Sequence, residues 1–509
     1  MHNTLRHLLC ATAFGAAAMA VPASAQTEPV AAEPAAGAVL DEAEALAVDA
    51  KMYAAEFGVT FDEAVERLTI MVYGTGAVSE AASGEGTDLA GRYFDNNAAE
   101  FGLVVATKKS QKAPKTLSFT PRTKENYGRL TSETRRARNE QRKEGRRIAK
   151  LSESEVTKAE NALGKPGSLK VRYSVGKAHN LLELTEAVST LVNGKGSIPG
   201  FQLAFVDEIK SNVQVMSTVR LTDAQQREVR QLVKVPVEFE FLATPIRQVA
   251  NMRGGSKLYN SSAATSTSAR ECMTAFGVRH ATIKTSAGAA MTGMVTAAHC
   301  NTATNVIADD ARNYALTHGH VDDTRGLNNI GETDISFVHG ANNNPAGLGT
   351  FYYDGTTNVR SVTGTQSRGG TAVGSGTWNQ VTGTAVGSYI CHVGQTSPGS
   401  TTNMQSCGEV ISVNADQSED GKVVNQTGGF FVMVRNTSSG KGTVLGSTGS
   451  GTLRCHYGDS GGPWFAGTVA YGVMSACHWS DADNGNRAAF SLYTSLDYLN
   501  WIGSTIIVP

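Results

Sequence analysis

The chain has 509 residues, 40% of them hydrophobic and 18% charged, with a formal net charge of −1. That length holds two or three domains with real cores, and the composition excludes a disordered or collagen-like chain. The near-neutral balance excludes a chain-wide electrostatic grip on nucleic acid or on an anionic membrane surface.

Arg6, with His2 and His7, precedes an apolar run over residues 8–20, and Ala23-Ser24-Ala25 supplies a small-residue cleavage site. The run is too short to span a bilayer. Residues 1–25 therefore read as a secretory signal peptide, and the product as secreted or periplasmic with no membrane span. Residues 26–40, rich in Ala, Pro and Glu, form a flexible lead-in. Between 41 and 72, Leu46, Met52, Tyr53, Phe57, Phe61, Val65 and Leu68 recur at helical steps among charged residues. Gly58-Val59-Thr60 interrupts the pattern, and Thr60 with Glu63 spells a capping box, which predicts a helical hairpin.

Leu103–Thr107 predicts a strand. Residues 122–150 carry 11 Lys and Arg against 4 Glu, the pattern of a solvated helix with i,i+4 ion pairs. Strands follow at 169–175, 201–205, 212–218 and 235–242, and helices at 179–192, capped near Asn180, and at 222–232. Strand–helix–strand order predicts small α/β units, making this half α+β. Near residue 250, at Asn251-Met252-Arg253-Gly254-Gly255, a charged half without cysteines beyond Cys10 gives way to a Gly-, Thr-, Ser- and Asn-rich half. Short β-type runs at 275–278, 335–338, 386–391, 409–413, 430–434 and 469–475, separated by turn residues, predict a sandwich or barrel. Residues 495–503 predict a closing helix.

Cys10 falls in the segment read as removed, leaving Cys272, Cys300, Cys391, Cys407, Cys455 and Cys477. An even count in a secreted chain argues for three disulfides, in any of 15 connectivities. No CxxC or HExxH is present, so no metal site and no cofactor is expected. A metal-dependent hydrolase would have to draw on His318, His320, His339 or His478, and His318-Gly319-His320 lacks acidic company.

Met294-Val295-Thr296-Ala297-Ala298-His299-Cys300 places a histidine after an apolar run. Cys455-His456-Tyr457-Gly458-Asp459-Ser460-Gly461-Gly462-Pro463 places a serine in a glycine-rich turn. Such a turn can aim the N–H groups of Gly458 and Ser460 at one point, as an oxyanion hole requires. A serine hydroxyl needs a base within hydrogen-bond reach, and an imidazole base needs a carboxylate to fix its tautomer. Asp309, Asp310, Asp322 and Asp323 fall in polar stretches, whereas Asp334 heads the apolar run Ile335-Ser336-Phe337-Val338 and is the stronger candidate.

TAAHC at 296–300, TDIS at 333–336 and GDSGGP at 458–463 resemble the three signatures of the chymotrypsin-like serine endopeptidases, in that family's order. They are similar in detail to the bacterial secreted branch, the streptogrisin and α-lytic protease type. Cys391-His392-Val393-Gly394 with Cys407-Gly408 resembles its second disulfide loop, and Gly472-Val473-Met474-Ser475 its substrate-binding strand. The resemblance covers residues 254–509. It implies two six-stranded antiparallel β-barrels with a C-terminal helix, and the disulfides Cys272–Cys300, Cys391–Cys407 and Cys455–Cys477. It implies His299 as general base and then acid, Asp334 as its orienting group and Ser460 as nucleophile. Gly458 and Ser460 form the oxyanion hole, and Ser475 and Ala476 line the substrate strand. It further implies polypeptide substrates, no nucleic acid or membrane partner, and a monomeric mature form over 251–509. A pro-region over 26–250 would assist folding, block the cleft and be cut off near 244–253.

Several features depart from that pattern. No Ile-Val-Gly-Gly start is present, which argues against activation by an inserted new N-terminus. His392 stands where the branch carries an arginine facing the aspartate of GDSG, so a His392–Asp459 pair is an expectation to test. Cys477, two residues after Ser475, alters the wall of the specificity pocket, and the long Asp334–Ser460 interval places an extra loop in 341–385 or 414–450. Gly451-Thr452-Leu453-Arg454 offers no acid before Cys455, which favours an apolar or small residue over Lys or Arg before the scissile bond. The alternative is a non-catalytic binding protein on the same fold. A lost triad residue would mark it, and none is lost.

Overall fold

The computed structural model describes residues 39–507, less 98–99, 122–146, 148, 195–196, 243–246, 249–256, 260–269, 286–287, 301–304, 308–312, 323–333, 341–349, 355–357, 367–382, 396–402, 418–430, 436–442, 445–452, 457, 480–487 and 501. The segment read as a signal peptide, most of the basic run and most of the expected 244–253 junction therefore lie outside the described residues. So do Asp309, Asp310 and Asp323, and most of both candidate loop insertions.

A two-residue strand β1 (Val39–Leu40) leads into α1 (Glu42–Phe57). Asp41 starts the helix by accepting from the N–H groups of Ala43 and Glu44, while the Glu44 carboxylate returns to the Asp41 N–H; Gly58, at φ 66°, ends it. Thr60 starts α2 (Phe61–Tyr73) by accepting from Glu63 N at 3.2 Å. The expected box is only half made, because the Glu63 carboxylate turns to Arg67 one helical turn on. A third helix, α3 (Thr75–Ala82), extends the expected hairpin.

Strands β2 (Leu89–Phe94), β3 (Leu103–Thr107), β4 (Lys115–Phe119) and β5 (Gly167–Val175) form a sheet ordered β2-β3-β5-β4, with α4 (Glu153–Leu163) preceding β5. The β3–β5 pair is parallel, as a crossover requires. Asn180 and Glu183 form a full capping box at the start of α5 (Leu181–Asn193). Strands β6 (Phe201–Asp207) and β7 (Asn212–Ser217) pair antiparallel, and α6 (Asp223–Leu232) carries the chain to β8 (Val237–Phe241), parallel to β7. A short β9 (Arg247–Gln248) follows.

Among the described residues of the second half the regular elements are strands, apart from short 3-10 stretches. Strands β10 (Lys257–Tyr259), β11 (Arg270–Lys284), β12 (Ala290–Thr296), β13 (Asn305–Ile307), β14 (Asn313–Asp322) and β15 (Ile335–Gly340) pair in the order β10-β13-β14-β15-β12-β11. A β10–β11 pairing closes them into a barrel. A ribbon of β16 (Thr350–Asp354) and β17 (Asn358–Ser361) takes β1 as a parallel third strand. After β18 (Gly364–Thr365) come β19 (Tyr389–Gln395), β20 (Asn403–Gln417), β21 (Phe431–Arg435), β22 (Thr443–Val444), β23 (Pro463–Ala466), β24 (Val469–Trp479) and β25 (Ala488–Ser495). These pair along β19-β23-β24-β25-β21-β20, and β19 also pairs with β20.

Among the described residues, the C-terminal helix expected over 495–503 is reduced to a short 3-10 helix. Leu496–Asn500 makes one 3-10 stretch, Gly503 takes φ 63°, and β26 (Ser504–Ile506) joins β11. The β-branched run Thr505-Ile506-Ile507 suits a strand better than a helix. The two halves also do not keep separate sheets. Ala415, Asp416 and Gln417 of β20 pair with Phe205, Ala204 and Leu203 of β6. Residues 201–206 of β6 are buried on both faces, so this strand needs neighbours on all sides. Leu203, Phe205 and Met216 share a core with Met433, Phe490 and Leu492.

Candidate active site

Three peptide segments meet around β11. The β12 strand delivers Thr296, whose hydroxyl donates to Met273 O, and the chain then turns through a 3-10 stretch, Ala298–Cys300, that presents His299. The Met273 N–H on β11 donates to Ser460 O at 2.6 Å. Gly461, at φ 84°, packs so tightly against Met273 that a Cβ there would lie 1.9 Å from the Met273 carbonyl oxygen. Met273 thus joins the histidine segment to the serine turn, and the neighbouring Cys272–Cys300 disulfide fastens the same point. Sequence reasoning missed Met273; its only signal was adjacency to a cysteine.

Asp334 lies just before β15, 7% exposed and at φ 47°, a left-handed conformation that costs a non-glycine residue about 1–3 kcal/mol. Its carboxylate sits 2.9 Å from His299 Nδ1 through either oxygen, and Oδ1 also accepts from the His299 backbone N–H at 3.0 Å. Ser475 on β24 donates its hydroxyl to Asp334 Oδ2 at 2.5 Å. Burial works to raise the Asp334 pKa, but the His299 charge and the hydrogen bonds from His299 and Ser475 outweigh it, and the net shift is downward. The group is a carboxylate at neutral pH, and it holds the imidazole with Nδ1–H towards it.

Ser460 is fully buried, and its Oγ donates to Ser475 O at 3.3 Å. Ser475 therefore touches Ser460 through its backbone and Asp334 through its side chain. Gly458, at φ 109°, sets up the turn, which uses the N–H groups of Asp459, Gly461 and Gly462 for bonds to His456 O, Met474 O and Asp459 O. Ala476 pairs with Leu492 of β25 on one side and with Gln248 of β9 on the other, and Cys477 pairs with Arg247.

The disulfides Cys272–Cys300, Cys391–Cys407 and Cys455–Cys477 are all formed. The expected His392–Asp459 pair is not. His392 Nε2 lies 2.6 Å from Arg454 O and 3.0 Å from Ser406 Oγ, and its ring packs on Trp464. Burial drives the His392 pKa down to about 4, so the ring is neutral and offers no charge to an aspartate. Asp459 instead accepts from the His456 backbone N–H at 2.8 Å and lies against Gly394.

Among the described residues, the one trio with metal-ligand spacing is Cys272, His299 and Cys300, and its two sulfurs are spent on a disulfide. His339 stacks on Phe337 and His478 on Phe490. Among the described residues no helix is long and apolar enough to cross a membrane.

No family model and no curated protein matches the chain. Solved structures similar to it are serine proteases. Protease A of Thermobifida fusca is 20% identical, over 51% of this chain and 100% of its own, with a TM-score of 0.27. A glutamic-acid-specific serine protease that uses a histidine triad in substrate binding is 19% identical, over 50% and 100%, at 0.27. The Nocardiopsis protease is 17% identical, over 50% and 99%, also at 0.27. Likenesses this distant carry no weight for the chemistry, which rests on the geometry around Ser475.

Proposed function

We propose that the chain is a secreted serine endopeptidase made as a preproenzyme, with a signal peptide over 1–25, a pro-region over 26–250 and a two-barrel chymotrypsin-like domain over 251–509. The observation that carries this reading is the double contact of Ser475, which links Ser460 to the Asp334–His299 pair. In the reaction His299 takes the Ser460 proton as Oγ attacks the scissile carbonyl. The N–H groups of Gly458 and Ser460 receive the oxyanion, a contribution of roughly 10²–10³ in rate per donor. His299 then passes the proton to the leaving amine, and water, activated by the same imidazole, releases the acyl group. Asp334 stays ionised throughout and holds the tautomer.

The pro-region reading draws support from β9. Arg247–Gln248 occupies the edge of β24 at Ala476 and Cys477, the backbone to which an extended substrate would add. With Ser460 fully buried as well, the full chain is a latent form, and the pro-region serves as its own inhibitor and folding aid. Three disulfides suit an oxidising compartment outside the cytoplasm.

A fluorophosphonate probe tests this on the expressed full chain. A labelled fragment of about half the 53.5 kDa full-chain mass is expected, lost in Ser460→Ala. Label confined to the uncut chain would keep the nucleophile and discard the processing. No Ser460-dependent label in any form would leave the non-catalytic reading.

A further inference from the structure

Apart from the serine site, the described residues hold a second built constellation of charged groups. Asp49 on α1 is 2% exposed and Arg360 on β17 is 0% exposed, yet the two come from opposite halves of the chain. Arg360 grips the Asp49 carboxylate with both terminal nitrogens, Nη1 to Oδ2 at 3.1 Å and Nη2 to Oδ1 at 3.0 Å. Gln405 Nε2 donates to Oδ1 at 2.8 Å and the Gly467 N–H to Oδ2 at 2.6 Å. Each carboxylate oxygen thus receives two donors, all four from the C-terminal half. The planar fork and paired amides match two coplanar oxygens rather than a tetrahedral oxyanion.

The fork is held by its own half. Nη1 also donates to Gly467 O at 2.9 Å, Nη2 to Gln405 Oε1 at 2.6 Å, and the guanidinium lies 4.9 Å over the Phe465 ring. These contacts brace it from within the C-terminal half, in addition to the bonds to Asp49. A guanidinium fixed in this way and buried is strongly unfavourable without an anion.

We propose that Arg360, Gln405 and the Gly467 N–H form a carboxylate receptor built into the C-terminal half, filled in the full chain by Asp49 and open to an aspartate or glutamate side chain of another polypeptide once α1 leaves. The opening of the receptor rests on the proposed removal of the pro-region, but the receptor itself does not use the serine chemistry, so its test runs on the uncut chain in a Ser460→Ala background. In the full chain, Asp49→Ala empties the receptor while leaving its donors in place. Acetate, the aspartate side chain without its backbone, is the probe. A saturable rise in Tm with acetate is expected, with no rise from chloride or sulfate at equal ionic strength, and loss of the response on adding Arg360→Met. An acetate effect no larger than that of chloride, or one surviving Arg360→Met, overturns the proposal. Should Asp49→Ala not fold even in acetate, Asp49→Asn serves instead. It is expected to melt several degrees lower, with part of the loss recovered by adding Arg360→Met, and no recovery overturns the proposal.

Discussion

Ser475 acts through two different atoms, and only one of them is open to mutation. Its carbonyl stays in place for Ser460 whatever the side chain, while its hydroxyl supports Asp334. Ser475→Ala removes one hydrogen bond to a charged group, worth about 1.5–3 kcal/mol. A fall of roughly 10- to 100-fold in kcat/KM on a peptide substrate is expected, with fluorophosphonate labelling of Ser460 slowed but retained. Ser475→Thr should recover part of the loss. Wild-type kinetics in Ser475→Ala would remove the hydroxyl from the mechanism. At this scale the sequence was highly legible. His299, Asp334 and Ser460 each stand in a short motif, because each needs a fixed local backbone. Met273 was not legible, since its role is played entirely by backbone groups that any residue possesses.

Among the elements, the glycine turn depends on a strand far from it in sequence. Gly394 of β19 lies so close to Asp459 that a Cβ would sit 2.3 Å from Oδ2. Both residues are buried, so neither can yield to solvent. Gly394→Ala should destabilise by about 1–3 kcal/mol through overpacking and displace Asp459, moving the Gly458–Ser460 turn. A lower melting temperature together with slower fluorophosphonate labelling is expected. Unchanged labelling would show that the turn holds its shape independently of β19. Helix starts were read well from sequence, because Asn180 with Glu183 is a local, self-contained cap. Thr60 with Glu63 failed as a box for an equally local reason: Arg67 lies one turn further along and offers the carboxylate a charged partner. The closing helix, expected over 495–503, is cut to the 3-10 stretch Leu496–Asn500: Gly503 turns at φ 63°, and the residues after it join β11, a pairing that short-range propensity does not register.

Across the whole molecule, the neutral His392 couples folding to pH. Its pKa falls from 6.5 to about 4 on folding, with burial as the leading cause. The unfolded chain therefore binds more protons between those values, and stability rises with pH through the window. At about 1.36 kcal/mol per unit, acidification from above pH 6.5 to near 4 should cost about 3 kcal/mol through this residue alone. Urea midpoints of the Ser460→Ala full chain at pH 7 and pH 4.5 measure it. His392→Gln should narrow the difference, and an equal difference in both proteins would refute a buried neutral ring. The same scale shows why the halves resist separate description. β6 extends the sheet of β20, β1 extends the β16–β17 ribbon, and Asn96 Nδ2 reaches Gly387 O and Glu409 Oε1 at 2.7 Å each.

By itself the sequence determined the β-rich character of the second half, most strand and helix positions among the described residues, and which three residues to propose for the serine site. Hydrophobic period, capping residues and glycine turns act over a few positions and are written locally. Tertiary structure alone decided what those residues meet. It sent His392 to Arg454 O rather than Asp459, made Met273 the joint between the histidine and serine segments, and folded the N-terminal strands into the sheet of the second half. It also closed Arg360 on Asp49, a contact spanning 311 positions. Such contacts are set by which surfaces bury each other best, a property of the assembled chain that no window of neighbouring residues contains.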